Sequence, residues 1–442
     1  MIREEKLMNR KLQDKFTRFV KTLSSTLNKP EQKFLKACSF GILSSQSCIV
    51  RRTAHSLHEK VSSKKTQERL IYHLDKAELN EKISQTLLQK QCRKLKKGSL
   101  IIIDPSDVVK KYAKKMEGLS RVRDGNDGKW KTGYDALDIV GVNTKGDTVS
   151  ILPIHSQLHS NTVEIDAMKN KLFDRIVDII IHSNNRGTFV FDRGFDDKKV
   201  IKELHRHDAS YIIRMKKNRD VYLRDKKLNI ASVGKATKLR YRFRPKKGVT
   251  ISAGITSISI PLNPHTLKNP TLAETKLVVA KIRSKRKDGT SRNGMFYLLC
   301  HNTNQSLLER DFVKYILESY RLRWKIEEVH RQVKTDFGWE DIQLQTYRRL
   351  QTMNTLLWVA ISFLYNLDQW KYRLAKVFTN LMLEKKNKLS ELNKFVYYKL
   401  ASVIKYCFNK IRIEWAVFSL TPKFQNPFSI SKEEIYENFK RK

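Results

Sequence analysis

The sequence predicts an α/β protein in which helices cover a mixed sheet and helical regions flank it on both sides. Three observations predict this class. Apolar residues recur at three- and four-residue spacing before residue 95, and this helical spacing returns from Leu307 to roughly Phe418. Between these regions, short apolar runs separated by polar turns are typical of buried strands. The 442 residues provide for two or three domains and a sizeable core.

Residues 1–95 are predicted to be helical, with few strand signals. The third predicted helix carries Lys64, Lys65 and Arg69 at polar positions. Short helices with a basic one in third place suit a helix that reads the major groove of DNA. A solvated helix face explains the same residues equally well. The predicted helices are Glu31–Leu43, Ser47–Leu57, Lys64–Leu74 and Leu79–Leu95.

Three strands are predicted after Gly98. The apolar run from Ser99 to Asp104 is typical of a buried strand, and Pro105 is expected to end it. Two further strands and the hairpin turn between them are predicted at Asp138–Val142, Thr148–Pro153 and Asn143–Asp147.

Helices and strands then alternate. The resulting order is strand, strand, strand, helix, strand, helix, strand. This is the order of the ribonuclease-H-like fold, in which a mixed sheet is covered by helices and the first and fourth strands are neighbours. The predicted elements are the helix Val163–Ile181, the strand Gly187–Phe191, the helix Asp197–His205 and the strand Ser210–Arg214.

Residues 217–295 interrupt this alternation. Short alternating runs between Tyr241 and Ile260, followed by Thr275–Ile282, have strand periodicity with little Gly or Pro. These features favour a β-rich insertion over a linker. A further strand is predicted at Met295–His301.

The charge of the chain identifies the class of its partner. The sequence contains 88 Lys and Arg against 45 Asp and Glu, a formal net charge of +43. So basic a protein binds a polyanion, and nucleic acid is the first candidate because neutralised phosphates release counterions. The excess is spread along the whole chain, which indicates folded domains that follow DNA or RNA. Ribosomal and architectural proteins share this composition, so charge determines only the partner class.

Cysteine usage and hydropathy predict the compartment. The five cysteines are far apart, and none lies in a CxxC pair, so they are expected to be core thiols. The N-terminus has no apolar run that would indicate a signal peptide. The longest apolar stretch, Leu356–Tyr365, is too short to span a bilayer. A cytoplasmic, nucleoid-associated protein with no membrane partner is expected.

Two aspartates end predicted strands. Asp104 follows four apolar residues, and Asp192 follows Thr-Phe-Val-Phe. Each alone is ordinarily a helix cap or turn former. Because their strands are neighbours in the predicted order, the two carboxylates are expected side by side. Like charges so close require a cation, and oxygen ligands suit Mg²⁺ or Mn²⁺. Asp107 and Asp196 are the alternatives, although a helix cap at the start of the next helix explains Asp196.

A predicted helix at 320–334 presents one functional stripe. At about 100° per residue its aromatic, cationic, imidazole and carboxylate side chains lie on one face, apart from its apolar stripe. A carboxylate between cations suits phosphodiester chemistry, in which metal ions activate the attacking oxygen and cations hold phosphates. The simpler alternative is a solvated face with one i,i+4 ion pair, worth about 0.3 kcal/mol. The stripe consists of Tyr320, Arg323, Glu327, His330 and Lys334.

These residues resemble a known family. Tyr320, Arg323, Glu327 and Lys334 reproduce the Y-(2)-R-(3)-E-(6)-K signature of the "IS-four" family of insertion-sequence transposases, to which the Tn-five transposase belongs. The block from Asp192 to Asp196 (Asp-Arg-Gly-Phe-Asp) resembles the second catalytic block of that family, and Asp104 its first. The resemblance extends from about residue 35 to 370.

The resemblance implies a set of site residues. Asp104, Asp192 and Glu327 would be the catalytic DDE triad, holding two Mg²⁺ or Mn²⁺ ions. The DNA-contacting residues would be Tyr320, Arg323 and Lys334, which touch backbone phosphates. Three side chains are expected beside the ligands without holding metal: His330, Glu328 and Arg193. Glu328 competes with Glu327 but points about 100° away on a helix. For Trp324, packing under another element and contact with DNA are equally expected. The spacing does not identify which aromatic residue of the insertion would stack on a base.

The resemblance also implies a division into domains. Helical residues 1–95 would bind the terminal inverted repeats of the element. Residues 96–216 and 296–345 would form the two parts of the catalytic core, separated by the β-rich insertion at 217–295. Helical residues 346–442 would help to form a homodimer. The apolar surface around Leu350–Leu367 is predicted to serve either the core or that dimer, and the core is favoured.

Cut-and-paste DNA transposition is therefore the expected function. Hydrolysis at each element end would free a 3′-OH, which attacks either the opposite strand to form a hairpin or the target DNA. A homodimer would act on a synapsed pair of double-stranded ends. Two alternatives share the fold: a catalytically silent DNA-binding regulator derived from a transposase, and a structure-specific nuclease. The presence of all three acids argues against the regulator.

Overall fold

A computed structural model describes residues 2–410 except 126, 147, 164–167, 263–270, 286–289, 304–305, 384–391 and 394. Part of the helix predicted from Val163, one residue of the predicted hairpin turn, and residues 411–442 of the predicted C-terminal region lie outside these described residues.

The N-terminal region is helical, as the periodicity predicts. The four predicted helices are present, and a long helix that was not predicted precedes them. The second begins with a capping box, in which Asn28 and Glu31 each accept a hydrogen bond from the other's backbone N–H. The helices are α1 (Ile2–Thr22), α2 (Lys29–Ser45), α3 (Val50–His55), α4 (Ser63–Leu74) and α5 (Leu79–Cys92).

The middle of the chain forms the predicted alternation of strands and helices. Three of the strands are longer than predicted, and Asp197 rather than Asp196 caps the helix that follows the second aspartate. The elements are β1 (Leu100–Val109), β2 (Ser120–Arg123), β3 (Trp130–Lys145), β4 (Thr148–His159), α6 (Met168–Ser183), β5 (Thr188–Phe191), α7 (Lys198–Arg206) and β6 (Tyr211–Arg214).

The strand order confirms the mixed sheet. The core strands lie in the order β4-β3-β1-β5-β6, with β1 antiparallel to β3 and parallel to β5. The first and fourth predicted strands, which are β1 and β5, are therefore neighbours as predicted. Ile102 is opposite Val190 in the parallel pair, so positions two residues further on in each strand lie at the same level.

The prediction that Pro105 ends β1 is wrong. The strand continues to Val109, paired with β3 throughout, whereas its pairing with β5 stops at Ile102. The Lys110 N–H donates to Thr132 of β3, and in an antiparallel ladder every second residue directs its N–H to the same neighbouring strand. Pro105 is an odd number of residues from Lys110, so its nitrogen points away from β3. Proline is tolerated there because that edge of the strand has no ladder partner.

The stretch from residue 217 is rich in strands, and these extend the core sheet. β12 pairs with β6, so the twelve described strands form one sheet. β12 begins before residue 295, so the predicted border between insertion and core falls inside a strand. The elements are β7 (Asp220–Leu223), β8 (Lys226–Asn229), α8 (Ile230–Ala236), β9 (Tyr241–Lys246), β10 (Val249–Pro261), β11 (Leu272–Lys285) and β12 (Ser291–His301).

Helices follow the sheet to the end of the described residues. α11 packs against β4 and α2 and is buried along most of its length. Its apolar surface belongs to the core of the chain, as the sequence favoured, because Leu350, Leu356 and Leu364 are almost fully buried. The helices are α9 (Glu309–Leu322), α10 (Lys325–Thr335), α11 (Tyr347–Asn366), α12 (Lys371–Val377), α13 (Thr379–Met382) and α14 (Val396–Asn409).

Two apolar cores lie on the two faces of the sheet. Leu100 and Ile102 of β1 face the core that contains α10, α11 and the N-terminal helices, whereas Ile101 and Ile103 face the core that contains α6 and α7. All five cysteines are buried and free, which confirms that they are core thiols. Among the described helices, none is both long and apolar enough to cross a membrane.

Candidate functional site

The two predicted aspartates lie where neighbouring strands meet. Asp104 is two residues beyond Ile102 in β1, and Asp192 is two residues beyond Val190, directly after β5. The two positions are therefore at one level of the sheet. Asp192 also caps the short 3₁₀ turn Arg193–Phe195, where its side chain accepts a hydrogen bond from the Gly194 N–H. The capping role and a position beside Asp104 thus coexist.

Asp104 is paired with Arg323. The Nη1 atom of Arg323 lies 2.7 Å from Oδ2 of Asp104, and the two side chains are only 10% and 13% exposed. Burial raises the pKa of Asp104 to about 6, against the lowering effect of Arg323 and His330, while the charges of Asp192 and Glu327 add to the increase. All of these groups therefore share one electrostatic neighbourhood.

The predicted single helix at 320–334 is two helices. α9 ends at Leu322 and α10 begins at Lys325. Arg323 and Trp324 keep right-handed helical dihedrals, but their N–H groups donate three residues back, to Tyr320 and Arg321. This tighter 3₁₀-type turn lies between the helices. Arg323 is at the junction and turns inward to Asp104.

Glu327 is the first acidic residue of α10 and contacts His330. Oε2 of Glu327 lies 3.7 Å from Nδ1 of His330, and this interaction lowers the pKa of Glu327. The other ring nitrogen of His330 lies 3.1 Å from Oδ2 of Asp138. Burial alone would lower the pKa of His330, but Asp138 and Glu327 raise it to about 9. The imidazolium therefore bridges two carboxylates.

Asp138 fixes the far end of this bridge. It lies in β3 directly opposite Asp104 and is 4% exposed. Ser106 Oγ donates to Oδ2 of Asp138 at 2.7 Å. Although burial opposes ionisation, the interaction with His330 and hydrogen bonds from Ser156 and Ser106 lower the pKa of Asp138. His330 thus lies between a buried aspartate of the sheet and Glu327 of the helix.

Lys334, one turn beyond His330, lies between two carboxylates. Its Nζ is 2.7 Å from Oδ2 of Asp107 and 3.2 Å from Oε1 of Glu340. Burial would lower the pKa of Lys334, but Asp107 and Glu340 raise it. Asp107 is therefore occupied by Lys334.

The remaining predicted residues near the helix junction differ in exposure. Tyr320 is half-buried and packs edge-on against Phe296 of β12, and burial raises its pKa. Trp324 is 63% exposed, with the Arg323 guanidinium 5.4 Å from its ring centre. Glu328 forms an ion pair with Lys325, and Arg193 is exposed.

The predicted groove-reading residues lie on α4. Lys64 and Lys65 are exposed in its first turn, which Ser62 caps. Arg69 is paired with Glu59, with 2.6 Å between Nη2 and Oε1. The basic face is therefore present, and one of its three cations is neutralised within the chain.

A cavity of about 1040 Å³ opens beside these groups. Its walls come from the end of β1, from α10 and from the start of α14, and they include Glu327, His330 and Lys334. Carboxylate oxygens are the ligands that Mg²⁺ and Mn²⁺ prefer, so the chemistry of Asp104, Asp192 and Glu327 fits such ions. However, across the described residues no three His, Cys, Asp or Glu side chains are grouped closely enough to hold a metal ion. Arg323 occupies the Asp104 carboxylate instead.

Residues 95–364 match the family model described as Transposase DDE domain. The match covers more than half of the chain, from before β1 to within α11. The chain belongs to the DDE transposase family. Among curated proteins, none matches the chain. Membership supports transposase activity and DNA binding in general, and it excludes a ribosomal or purely architectural protein.

The sequence pattern does not identify two acidic residues of the candidate site. It predicts Asp138 only as the start of a strand, and it makes Asp107 an alternative to Asp104. The signal for Asp138 was a charged residue in front of the apolar run Ile139–Val142. Its role depends on the β1–β3 register, which local patterns do not specify. Asp196, the other alternative, instead forms a buried ion pair with Arg219.

Proposed function

We propose that this DDE transposase catalyses cut-and-paste DNA transposition with Asp104, Asp192 and Glu327 as its catalytic carboxylates. The observation that carries the proposal is the pairing of Asp104 with Arg323. This pair joins the middle of β1 to the helix junction that leads to Glu327, while Asp192 lies at the same level directly after β5. The charges of Asp192 and Glu327, two acids distant in sequence, therefore both act on the pKa of Asp104.

Two Mg²⁺ or Mn²⁺ ions suit this set of oxygen ligands. When bound, such ions stabilise the charge that develops on the attacking and leaving oxygens. Asp104, Asp192 and Glu327 would hold them, and binding requires that Asp104 is at least partly released from Arg323. The bridge from Asp138 through His330 keeps the carboxylate of Glu327 on the cavity side of α10.

Arg323, Lys334 and Tyr320 are proposed to bind phosphates. The Nε of Arg323 is buried and has no hydrogen-bond partner among the described residues, so it is available to donate to a phosphate oxygen. Lys334 lines the cavity, and its two carboxylate partners hold its Nζ in place. Once the guanidinium leaves Asp104 for a phosphate, the same movement frees that carboxylate for a cation.

The reaction has two balanced steps. Water adds across a phosphodiester bond at the element end, which gives a 5′-phosphate and a free 3′-OH. That hydroxyl then attacks a second phosphodiester, the displaced 3′-oxygen leaves with the proton, and one bond forms as one breaks. The resemblance to the "IS-four" family favours a hairpin on the opposite strand as the first acceptor.

The domain arrangement belongs to the same proposal. Residues 1–95, with Lys64, Lys65 and Arg69, bind the inverted repeats, and residues 96–216 and 296–345 carry the chemistry. The β-rich segment 217–295 leads into β12, whose Phe296 packs against Tyr320, and this contact would bring the segment near the cleaved end. A homodimer acts on paired ends, and residues 346–442 contribute to it.

Cleavage and joining of end-bearing DNA test this function. Purified protein is incubated with Mg²⁺ and linear DNA that carries the ends of its element, and Asp192→Asn is compared with wild type. Asp225→Asn is the matched control, because Asp225 is exposed at φ 63°, a conformation that asparagine tolerates.

The expected result is end-specific cleavage and joining by wild type and by Asp225→Asn, with both reactions lost in Asp192→Asn while DNA binding is kept. Binding without cleavage by wild type would instead identify a regulator. Cleavage without end preference or joining would identify a nuclease, and either result overturns the proposal.

A further inference from the structure

The segment between β1 and β2 forms an exposed basic surface outside the proposed triad. Three of its lysines, Lys111, Lys114 and Lys115, are exposed, and Tyr112 is 83% exposed. Within the described part of the chain, none of these three lysines forms an ion pair with a carboxylate. We name residues 110–117 the basic loop.

The first end of the basic loop is fixed by Lys110. This lysine is 3% exposed, and its Nζ donates to three backbone carbonyls, those of Trp339 at 3.1 Å, Glu340 at 2.9 Å and Ile342 at 3.1 Å. A buried ammonium with three acceptors is a strong anchor, because each hydrogen bond to a charged donor is worth more than a neutral one.

The second end is fixed by Glu117. Its N–H donates to the Gln345 carbonyl at 2.8 Å, and its carboxylate accepts from the Tyr347 N–H at 2.9 Å. Both ends are therefore attached to residues 339–347, which follow α10. The basic loop is held in a fixed position relative to the helix that carries Glu327 and Lys334.

A cavity of about 820 Å³ lies against the basic loop. Its other walls include the ion pair between Lys131 and Asp124 and the segment from Glu340 to Gln345. Glu340 also lines the larger cavity beside Glu327, so the two cavities meet at this residue. A strand of DNA that leaves the catalytic cavity past Lys334 would enter the second cavity.

We propose that the basic loop binds the DNA backbone where the DNA leaves the catalytic cavity, and that Tyr112 stacks on an unpaired base there. The charge of the loop complements phosphates, and an exposed aromatic among cations is suited to stacking on bases. This inference rests on the proposed function only because that function determines the path along which the DNA leaves the catalytic cavity. An acidic protein partner is the competing occupant.

DNA binding without metal tests the lysines. Fluorescence anisotropy in EDTA measures affinity for a duplex that carries the element end and a single-stranded flank, at several salt concentrations. The variant K111E/K114E/K115E is compared with K199E/K202E/R206E, three exposed cations on α7, which packs on the sheet face opposite α10. All six positions are exposed, so both variants are expected to fold, and their melting temperatures check this.

The loop variant is expected to bind roughly 100-fold more weakly near 0.15 M salt, with a salt slope smaller by about 3, since each phosphate contact contributes about 0.9 to the slope. The α7 variant should lose much less affinity. Equal losses in the two variants, or wild-type affinity in the loop variant, would overturn the proposal. If the loop variant lost affinity for an acidic peptide but kept its affinity for DNA, the occupant would be an acidic protein, and this result would also overturn the proposal.

Tyr112 is tested by a conservative pair. Tyr112→Ala is expected to weaken binding of the flanked probe by roughly fivefold or more, and Tyr112→Phe to restore it, since a phenyl ring still stacks. Equal behaviour of the two variants would remove stacking from the proposal. If wild type binds, the loop variants bind weakly and no protein cleaves DNA, the proposed function fails while this inference stands.

Discussion

The guanidinium of Arg323 lies 2.7 Å from the carboxylate of Asp104, and both side chains are almost buried. An ion pair at this place has two consequences. It stabilises the junction between α9 and α10 against β1, and it occupies a carboxylate that a divalent cation would need. Arg323 is therefore a structural partner of Asp104 and, in the proposed function, would compete with a metal ion for it.

Replacement of Arg323 should separate these effects. Arg323→Ala is expected to bind Mn²⁺ more tightly than wild type in the absence of DNA, because no cation competes for Asp104. The same variant should lose DNA cleavage, because a phosphate-binding donor is missing. Paramagnetic titration of Mn²⁺ and a cleavage assay measure the two effects. Arg321→Ala, an exposed neighbour, is the control. Unchanged or weaker Mn²⁺ binding in Arg323→Ala would contradict the competition.

Asp138 should act through His330. Asp138→Asn removes the charge that holds the imidazolium, so Glu327 loses its fixed orientation, while the Ser106 hydrogen bond can be kept. Loss of a partner that orients a ligand ordinarily costs about 10–100-fold in metal affinity or activity. Cleavage rates at increasing Mg²⁺ are the measurement, and His330→Gln should show a similar loss. Asp225→Asn should cleave like wild type. Full activity of Asp138→Asn would show that the bridge has no role.

Lys110 should be important for stability. Lys110→Met leaves three carbonyls, two of them buried, without their donor and is expected to lower the free energy of unfolding by about 2–4 kcal/mol. Lys111→Met, at the exposed neighbouring position, should change it by less than about 0.5 kcal/mol. Urea denaturation of both variants measures the difference. Equal stability would mean that water replaces the ammonium at the carbonyls.

The apolar strand segments that precede Asp104 and Asp192 could be predicted from sequence for a local reason. Each aspartate follows a short apolar run, and buried parallel strands have this pattern without polar alternation. The order of the predicted elements then indicated that β1 and β5 are neighbours in the sheet. The helices of the N-terminal region could be predicted in the same way, since each buries one apolar stripe.

The contacts of the site could not be predicted, because they depend on register and on local backbone geometry. A 3.6-residue period treats 320–334 as one helix, whereas a turn of 3₁₀ type at Arg323 and Trp324 separates two helices. The opposition of Asp138 and Asp104 depends on the register between β1 and β3, two strands that are separated along the chain by β2. The continuation of β1 past Pro105 is possible because the edge of β1 that faces β5 has no paired strand beyond Ile102.

His155 of β4 should make stability depend on acid pH. Its side chain is buried, with Nδ1 3.1 Å from Ser84 Oγ, and burial followed by the charge of Arg175 lowers its pKa to about 3. Because the folded pKa is lower than the ordinary value of 6.5, the unfolded chain binds the proton first as pH falls. The contribution to stability is complete above pH 6.5 and is lost progressively from pH 6.5 towards pH 3.

The comparison of His155→Gln with wild type isolates this effect. Between pH 6.5 and pH 5 the wild type should lose about 1.5 kcal/mol relative to the variant, which has no imidazole to protonate. Ser84→Ala keeps the imidazole and should show the wild-type slope, with lower stability at every pH. Urea denaturation at each pH measures the difference. Parallel pH profiles for wild type and His155→Gln would mean that His155 is protonated within the folded protein, so its burial would not control acid stability.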